Sequence, residues 1–192
     1  MIRYATQMQR LDSEILKRCQ RGDKEAFRWL VQTYQRLVFS LSLKMLLNEE
    51  EAKDIVQETF IRVWQNIGSY DTRRPFVTWL YTIATRLCLD RLKGMKQILP
   101  LPEDESLLRR FAANTDTSRI IENREWMAVV RTLAEGLGTK QRLVFTLCHF
   151  EELSSEEVEE ITGMDAKQVK SNLYVARQTI RKQLIALGYG QD

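Results

Sequence analysis

The sequence predicts an all-α protein made of two small helical domains joined by a flexible linker, and three observations carry that expectation. Apolar residues recur at three-and-four spacing over long stretches, as a helix with one buried face requires. Only eight glycines and three prolines interrupt 192 residues, while Leu, Ala, Glu, Lys, Gln and Arg are plentiful. No alternating apolar and polar run is long enough to make a useful strand. With 44% hydrophobic residues, the chain can fill one large core or two small ones.

Taken in order, residues 1–10 carry no pattern and are expected to form a loose arm. Asp12 can cap a short helix, SEILKRCQR, which Gly22 ends. Asp23 starts a longer helix in which Phe27, Leu30, Val31, Tyr34, Val38, Leu41 and Met45 keep helical spacing. Asn48 and Glu51 make a capping-box variant before a third helix, whose stripe is Ala52, Ile55, Val56, Thr59, Phe60, Val63, Trp64 and Ile67. Phe60 and Trp64 are expected in the core. Gly68 offers a left-handed stop. After the loop GSYDTRRP, Pro75 suits the first turn of a fourth helix that buries Phe76, Trp79, Leu80, Ile83 and Leu87. Four such stripes close a compact bundle, at roughly 1.5–3 kcal/mol for each large apolar side chain fully buried.

From Gln97 to Arg124 the character changes. Two of the three prolines, the acids Glu103 to Glu105 and a polar run from Asn114 to Ser118 mark a linker. The second domain opens on Trp126, Val129, Val130 and Leu133, which share an apolar edge, and Gly136 and Gly138 break that helix. Thr139 begins KQRLVFTLCHF. Ser154 with Glu157 makes a capping box, Gly163 ends the short helix it starts, and Asp165 with Gln168 opens the last one. Helix, glycine turn, helix is the helix-turn-helix pattern.

The charges assign the outward faces. Between Asn48 and Glu58 there are five acids and one base, Lys53, whereas from Asp71 to Lys96 there are six bases and two acids, Asp71 and Asp90. The first helix suits a protein contact, and the second a polyanion. Asp54, Gln57, Glu58 and Ile61 lie outward on the acidic helix. Arg73 and Arg74 sit in the loop where guanidinium groups reach phosphates, and Thr78, Tyr81, Thr82 and Thr85 share the face opposite the Phe76 stripe, suited to unpaired bases. In the last helix Val169, Leu173, Ala176, Ile180 and Leu184 face inward. At about 100° per residue, Lys167, Lys170, Ser171, Tyr174, Gln178 and Arg181 then face away, flanked by Gln168, Asn172 and Arg177. That face has cations and amide donors and no acid. Gln168, Ser171 and Asn172 can address base edges while the cations hold phosphates.

Several classes fall away. A net charge of +3 is too small for a wholesale DNA packer. Cys19, Cys88 and Cys148 are isolated thiols in apolar helical settings, and His149 is the only histidine, so no zinc site is expected. There is no secretory segment and no apolar run near ~20 residues, so the protein is expected to stay in the cytoplasm without entering a membrane. No phosphate-cradling glycine loop or set of acid, base and nucleophile is present, so no enzyme activity and no cofactor are expected.

DIVQETFIRVW followed by PFVTWLYTIATRLCLDRLK resembles region 2 of bacterial sigma factors, specifically the extracytoplasmic-function class of the sigma-70 family. The segment around Val169 to Arg177 resembles region 4, where relatives commonly carry VKSRLHRAR and this chain has Asn172 and Val175 at two frequently basic positions. Relatives often read IARN where this chain has Ile83, Ala84, Thr85 and Arg86. The resemblance implies region 2 over residues 11–96, a linker over 97–124 and region 4 over 125–192. It implies that Asp54, Gln57, Glu58 and Ile61 dock on the β′ clamp helices of RNA polymerase core. Arg73, Arg74, Thr78, Tyr81, Thr82, Thr85 and Arg86 would capture flipped promoter bases. Lys167, Gln168, Lys170, Ser171, Asn172, Tyr174, Arg177 and Arg181 would read the distal promoter element, with region 4 also on the β flap. An anti-sigma factor is the implied regulator. A helix-turn-helix regulator that is not a polymerase subunit would explain the second domain alone, leaving the acidic face and the fourth helix without a role.

Overall fold

The computed structural model describes residues 13–98, 132–134, 136–186 and 188. The expected N-terminal arm, the Asp12 cap, the body of the linker and the edge formed by Trp126, Val129 and Val130 lie outside the described residues. Helix α1 (13–20) is followed by Gly22 at φ +83°, the left-handed stop expected there. Asp23 then accepts from the Glu25 and Ala26 amides at 2.9 and 3.0 Å to start α2 (Lys24–Leu46). Helix α2 ends on Leu47, a leucine held at φ +57°, where no glycine marks the stop.

Asn48 caps α3 (Glu49–Asn66) by accepting from the Glu50 and Glu51 amides. The return bond expected of Glu51 is absent, because its carboxylate accepts instead from Arg91 of α4 (Phe76–Ile98), a tertiary partner in place of a local one. Gly68 is not left-handed either. It lies within a 3₁₀ turn, Ile67–Ser69, whose tighter bonds satisfy the helix end, with the Tyr70 amide donating to the Ile67 carbonyl at 3.2 Å. Helix α4 runs two residues into the expected linker, since Gln97 and Ile98 contain nothing that breaks a helix.

Leu30, Tyr34, Val38, Leu41 and Met45 of α2 meet Ile55, Phe60 and Val63 of α3 and Phe76, Leu80 and Leu87 of α4 in one buried cluster. Trp64 is a correction: it stays 36% exposed at the rim, its ring 4.7 Å from Phe27. The indole packs edge-on against Phe27, itself only half-buried, so it lies where the stripe meets solvent. Trp79 and Ile83 are likewise half-buried. Thr59, inside α3, has a buried hydroxyl with no hydrogen-bond partner. Thr59→Val removes that unmet group at constant shape and is expected to stabilise the fold by about 1 kcal/mol, read from denaturant unfolding midpoints.

The second module has a helical turn at 132–134, then α5 (Thr139–Phe145), which widens into a π turn, Thr146–Phe150. Helix α6 (Ser155–Thr162) starts at a reciprocal capping box between Ser154 and Glu157, and Gly163 ends it at φ +71°. Helix α7 (Ala166–Ala186) follows. Asp165 opens it, accepting from the Gln168 amide at 2.8 Å while its own amide donates to the Gln168 side chain at 3.1 Å. All these caps are local, and all match the sequence pattern.

The two modules share one core. Leu143, Val144, Leu147, Val158, Ile161 and Val169 continue the cluster built by α2 to α4, and α6 packs against α4. Helix α4 is therefore buried on two sides. Among the described residues, no helix is long and apolar enough to cross a membrane.

Candidate polymerase-docking and nucleic-acid surfaces

The N-terminal half of α3 presents an acidic outer face because its apolar stripe is turned into the core. Asp54, Gln57 and Ile61 are exposed, and Glu58 is half-buried. Glu49 and Glu50 pair with Lys53 at 3.0 and 2.8 Å, and Glu58 pairs with Arg62 at 2.7 Å. Asp54 makes no ion pair among the described residues, so its carboxylate is free for a partner. Ile61, 56% exposed, puts an aliphatic surface about two turns further on.

The loop before α4 is locally built. Asp71 accepts from the Arg73 amide and from its guanidinium, at 2.8 Å in the shortest bond. Those bonds hold the Asp71 carboxyl down to about 2, so it remains ionised. Arg73 is thereby turned back on its own loop. Arg74 stays largely exposed, with a loose contact to Glu160 at 3.5 Å, and the Tyr70 hydroxyl donates to the Arg74 carbonyl.

On α4 the expected base-capture face is not open in this structure. Thr78, Tyr81 and Thr85 are 4%, 2% and 1% exposed, because the second module packs over them. Only Thr82, half-buried and bonded to the Thr78 carbonyl at 2.8 Å, and the exposed Arg86 retain access to solvent. Burial and the nearby Glu151 raise the Tyr81 phenol far above its ordinary pKa, so it is a donor at every working pH.

A cleft of about 520 Å³ lies beside that face. Arg62, Arg74 and Arg86 supply cations around it, and Tyr70 with Trp79 supplies rings whose centroids are 4.7 Å apart at 30°. Asn66 and Ser69 add polar edges, and the Asp71 carboxylate, paired with Arg73, lines it too. Cations for phosphates beside aromatic faces for bases is the chemistry of a single-strand site. Arg74 and Arg86 are in the sequence-based set; Arg62, Asn66, Ser69, Tyr70 and Trp79 are not. The signal for them was the short distance in sequence between the end of α3 and the loop, which forces both onto one rim.

Helix α7 carries the second candidate surface. Lys167, Gln168, Lys170, Ser171, Tyr174, Arg177 and Arg181 are exposed and Asn172 is half-buried. At 65%, Tyr174 is the most exposed of the large apolar side chains among the described residues. Asn172 donates to the Gln168 carbonyl at 2.8 Å, and Arg177 donates to Nε2 of His149 at 3.0 Å. Burial and then Arg177 lower the His149 pKa, which keeps Nε2 free to accept. Lys170→Ala should weaken duplex binding and flatten the plot of log affinity against log salt by about one unit of slope; an unchanged slope removes Lys170 from the phosphate contacts.

Cys19 and Cys88 are buried free thiols, both pushed up to about 11 by desolvation, and Cys148 is half-buried and free. Among the described residues, no group of His, Cys, Asp and Glu side chains could hold a metal ion.

Two family profiles match the chain: "Sigma-70 region 2" over residues 30–97 and "Sigma-70, region 4" over residues 127–180. The chain is 33% identical to the ECF RNA polymerase sigma factor SigW of Bacillus subtilis (strain 168), over 92% of this chain and 98% of that protein. It is 31% identical to the RNA polymerase sigma-H factor of Pseudomonas aeruginosa, over 92% of this chain and 95% of that one. Among solved structures, CnrH in complex with the cytosolic domain of CnrY superposes with a TM-score of 0.68 over 90% of this chain and 96% of that chain, at 23% identity, a likeness of fold.

Proposed function

The chain belongs to the sigma-70 family as an extracytoplasmic-function sigma factor, and from that premise we propose how its surfaces divide the work of starting transcription. As a sigma factor it directs RNA polymerase core to promoters and helps open the DNA, a non-catalytic part in initiation. In this reading it works beside the polymerase in the cytoplasm.

The acidic face of α3, through Asp54, Gln57, Glu58 and Ile61, docks on the β′ clamp helices. The unpaired Asp54 carboxylate beside an exposed isoleucine supports this, since charge steers the encounter and the buried aliphatic contact holds it. The Arg62, Arg74 and Arg86 cleft and the adjoining α4 face with Thr78, Tyr81, Thr82 and Thr85 hold unpaired promoter bases, with Arg73 at the loop edge. Capturing bases that have left the stack favours the melted duplex, at ~1–3 kcal/mol for each base stacked. Helix α7 lies in a major groove of the distal element, its N-terminal Gln168, Ser171 and Asn172 towards base edges and its cations towards phosphates. Region 4 also grips the β flap. An anti-sigma factor restrains the free protein by covering these surfaces.

One observation carries the assignment: a free acidic docking face and a cation-aromatic cleft lie on adjoining elements of the same bundle, with a separate cationic reading helix in the second module. The test is transcription from promoter templates by purified bacterial core, with and without this protein. Specific initiation only in its presence is expected. If core does not bind it while the protein alone binds a duplex operator, a repressor role replaces this one.

A further inference from the structure

Helix α5 packs along the side of α7, and the π turn continues α5. That turn is closed by the Glu151 amide on the Thr146 carbonyl at 3.1 Å, a π-type bond, and such turns gather at functional positions. It carries His149, the only histidine of the chain, with its ring centre 4.6 Å from that of Phe145 at 49°. Nε2 of the imidazole accepts from Nε of Arg177 at 3.0 Å, across 28 positions of sequence.

The donor fixes the state of the acceptor. A guanidinium has five N–H groups and no acceptor, so Nε2 is unprotonated and the ring proton sits on Nδ1. Neutral imidazole free in water favours the other tautomer. The surroundings suit a neutral ring. Among the described residues, the charged groups that line the groove with His149 are Arg177 and Arg181, both cations of α7, and its other walls, Phe145, Ile180, Leu184 and Ile185, are apolar. Glu151, the nearest acid in sequence, is turned instead to Lys44 and Tyr81. Arg177 itself is exposed on the flank of the reading face and makes no ion pair among the described residues. Its bond through Nε leaves the outer Nη edge, the one that can meet two oxygens of a phosphate, without a protein partner.

We infer that His149 is a positioning residue for duplex recognition: it does not contact DNA, but holds the Arg177 guanidinium by Nε with its outer edge ready for a backbone phosphate. This rests on the reading of α7 as the helix that lies in the major groove. A long, rotamer-rich side chain loses that freedom when DNA captures it, and one already held loses less. The tether is expected to improve duplex affinity about fivefold.

The experiment uses the full chain and a duplex that the full chain selects from random-sequence DNA. Because there is one histidine, isotopically labelled ring nitrogens give a single set of magnetic resonance signals. The Nδ1–H form is expected at neutral pH in the wild type, and the Nε2–H form in Arg177→Ala. His149→Ala should weaken duplex binding about fivefold. In an Arg177→Ala background the same change should cost less than about twofold, because the two side chains act as one unit. His149→Gln offers an amide oxygen near the place of Nε2 and should return to within about twofold of wild type, whereas His149→Lys keeps a cation without an acceptor and should lose as much as alanine. Finding the Nε2–H form in the wild type, which needs no variant, overturns the proposal, as do additive losses in the double variant. Wild-type or tighter binding by His149→Lys would make this position a phosphate contact of its own and overturns it too. So does wild-type affinity in Arg177→Ala, whereas the reading of α7 as the duplex helix is judged separately by Lys170→Ala.

Discussion

Asp54→Arg is expected to abolish promoter-specific initiation while leaving the protein folded. The side chain is exposed and makes no ion pair among the described residues, so its replacement costs the free protein little. Against a basic partner the change converts attraction into like-charge opposition, worth several kcal/mol, or a loss of ~100-fold or more in affinity for core. Titration of labelled protein with purified core polymerase reads the affinity, and multi-round transcription reads the consequence. Helicity and duplex binding should be unchanged. Ile61→Glu tests the neighbouring apolar contact and should weaken core binding by a smaller factor. Wild-type affinity in Asp54→Arg would show that this face is an ordinary solvated one.

Leu80→Ala should have the largest effect on stability. Leu80 is completely buried on α4, the helix that packs on α2, α3 and α6. Deleting its branched end leaves a cavity that surrounding helices fill only in part, at about 2–5 kcal/mol. For a chain of this size that is a fall in Tm of about 5–20 °C. Leu80→Met keeps the volume and should cost less than ~1.5 kcal/mol. Calorimetry on the two variants separates cavity from chemistry. A loss below ~1 kcal/mol in the alanine variant would mean that α4 is not the shared wall between the modules.

Much of this molecule is legible residue by residue. Asp23, Asn48, Ser154 and Asp165 cap the helices they were expected to cap, and Gly22 and Gly163 take the left-handed conformation. These are interactions between residues two to four apart, so the sequence contains both partners. The exceptions are instructive. Glu51 leaves its cap for Arg91, forty residues away, and Leu47 ends α2 in a left-handed conformation with no glycine to mark it. Trp64 belongs to the right stripe but lies at its edge, because periodicity gives the direction of a side chain and not the room available for it.

The candidate surfaces divide in the same way. The outward residues of α3 and α7 follow from the helical period once the inward stripe is known, and all but the half-buried Glu58 and Asn172 are exposed as expected. The period also separates Thr78, Tyr81 and Thr85 from the Phe76 stripe. It does not say what covers them. The cleft needs the end of α3, the loop and α4 folded together before its three arginines and two rings converge.

What the sequence alone determined is the all-α class, the helix limits set by local caps, the apolar stripes, and the charge sign of each outer face, since all of these depend on neighbours within about one turn of helix. Only the tertiary structure decided that the Tyr81 face lies under the second module and that one carboxylate, Glu151, serves partners seventy and more than a hundred positions away. A row of hydroxyl groups suits water, a nucleic acid or another polar surface equally well, and only the packing of the whole chain chooses among them.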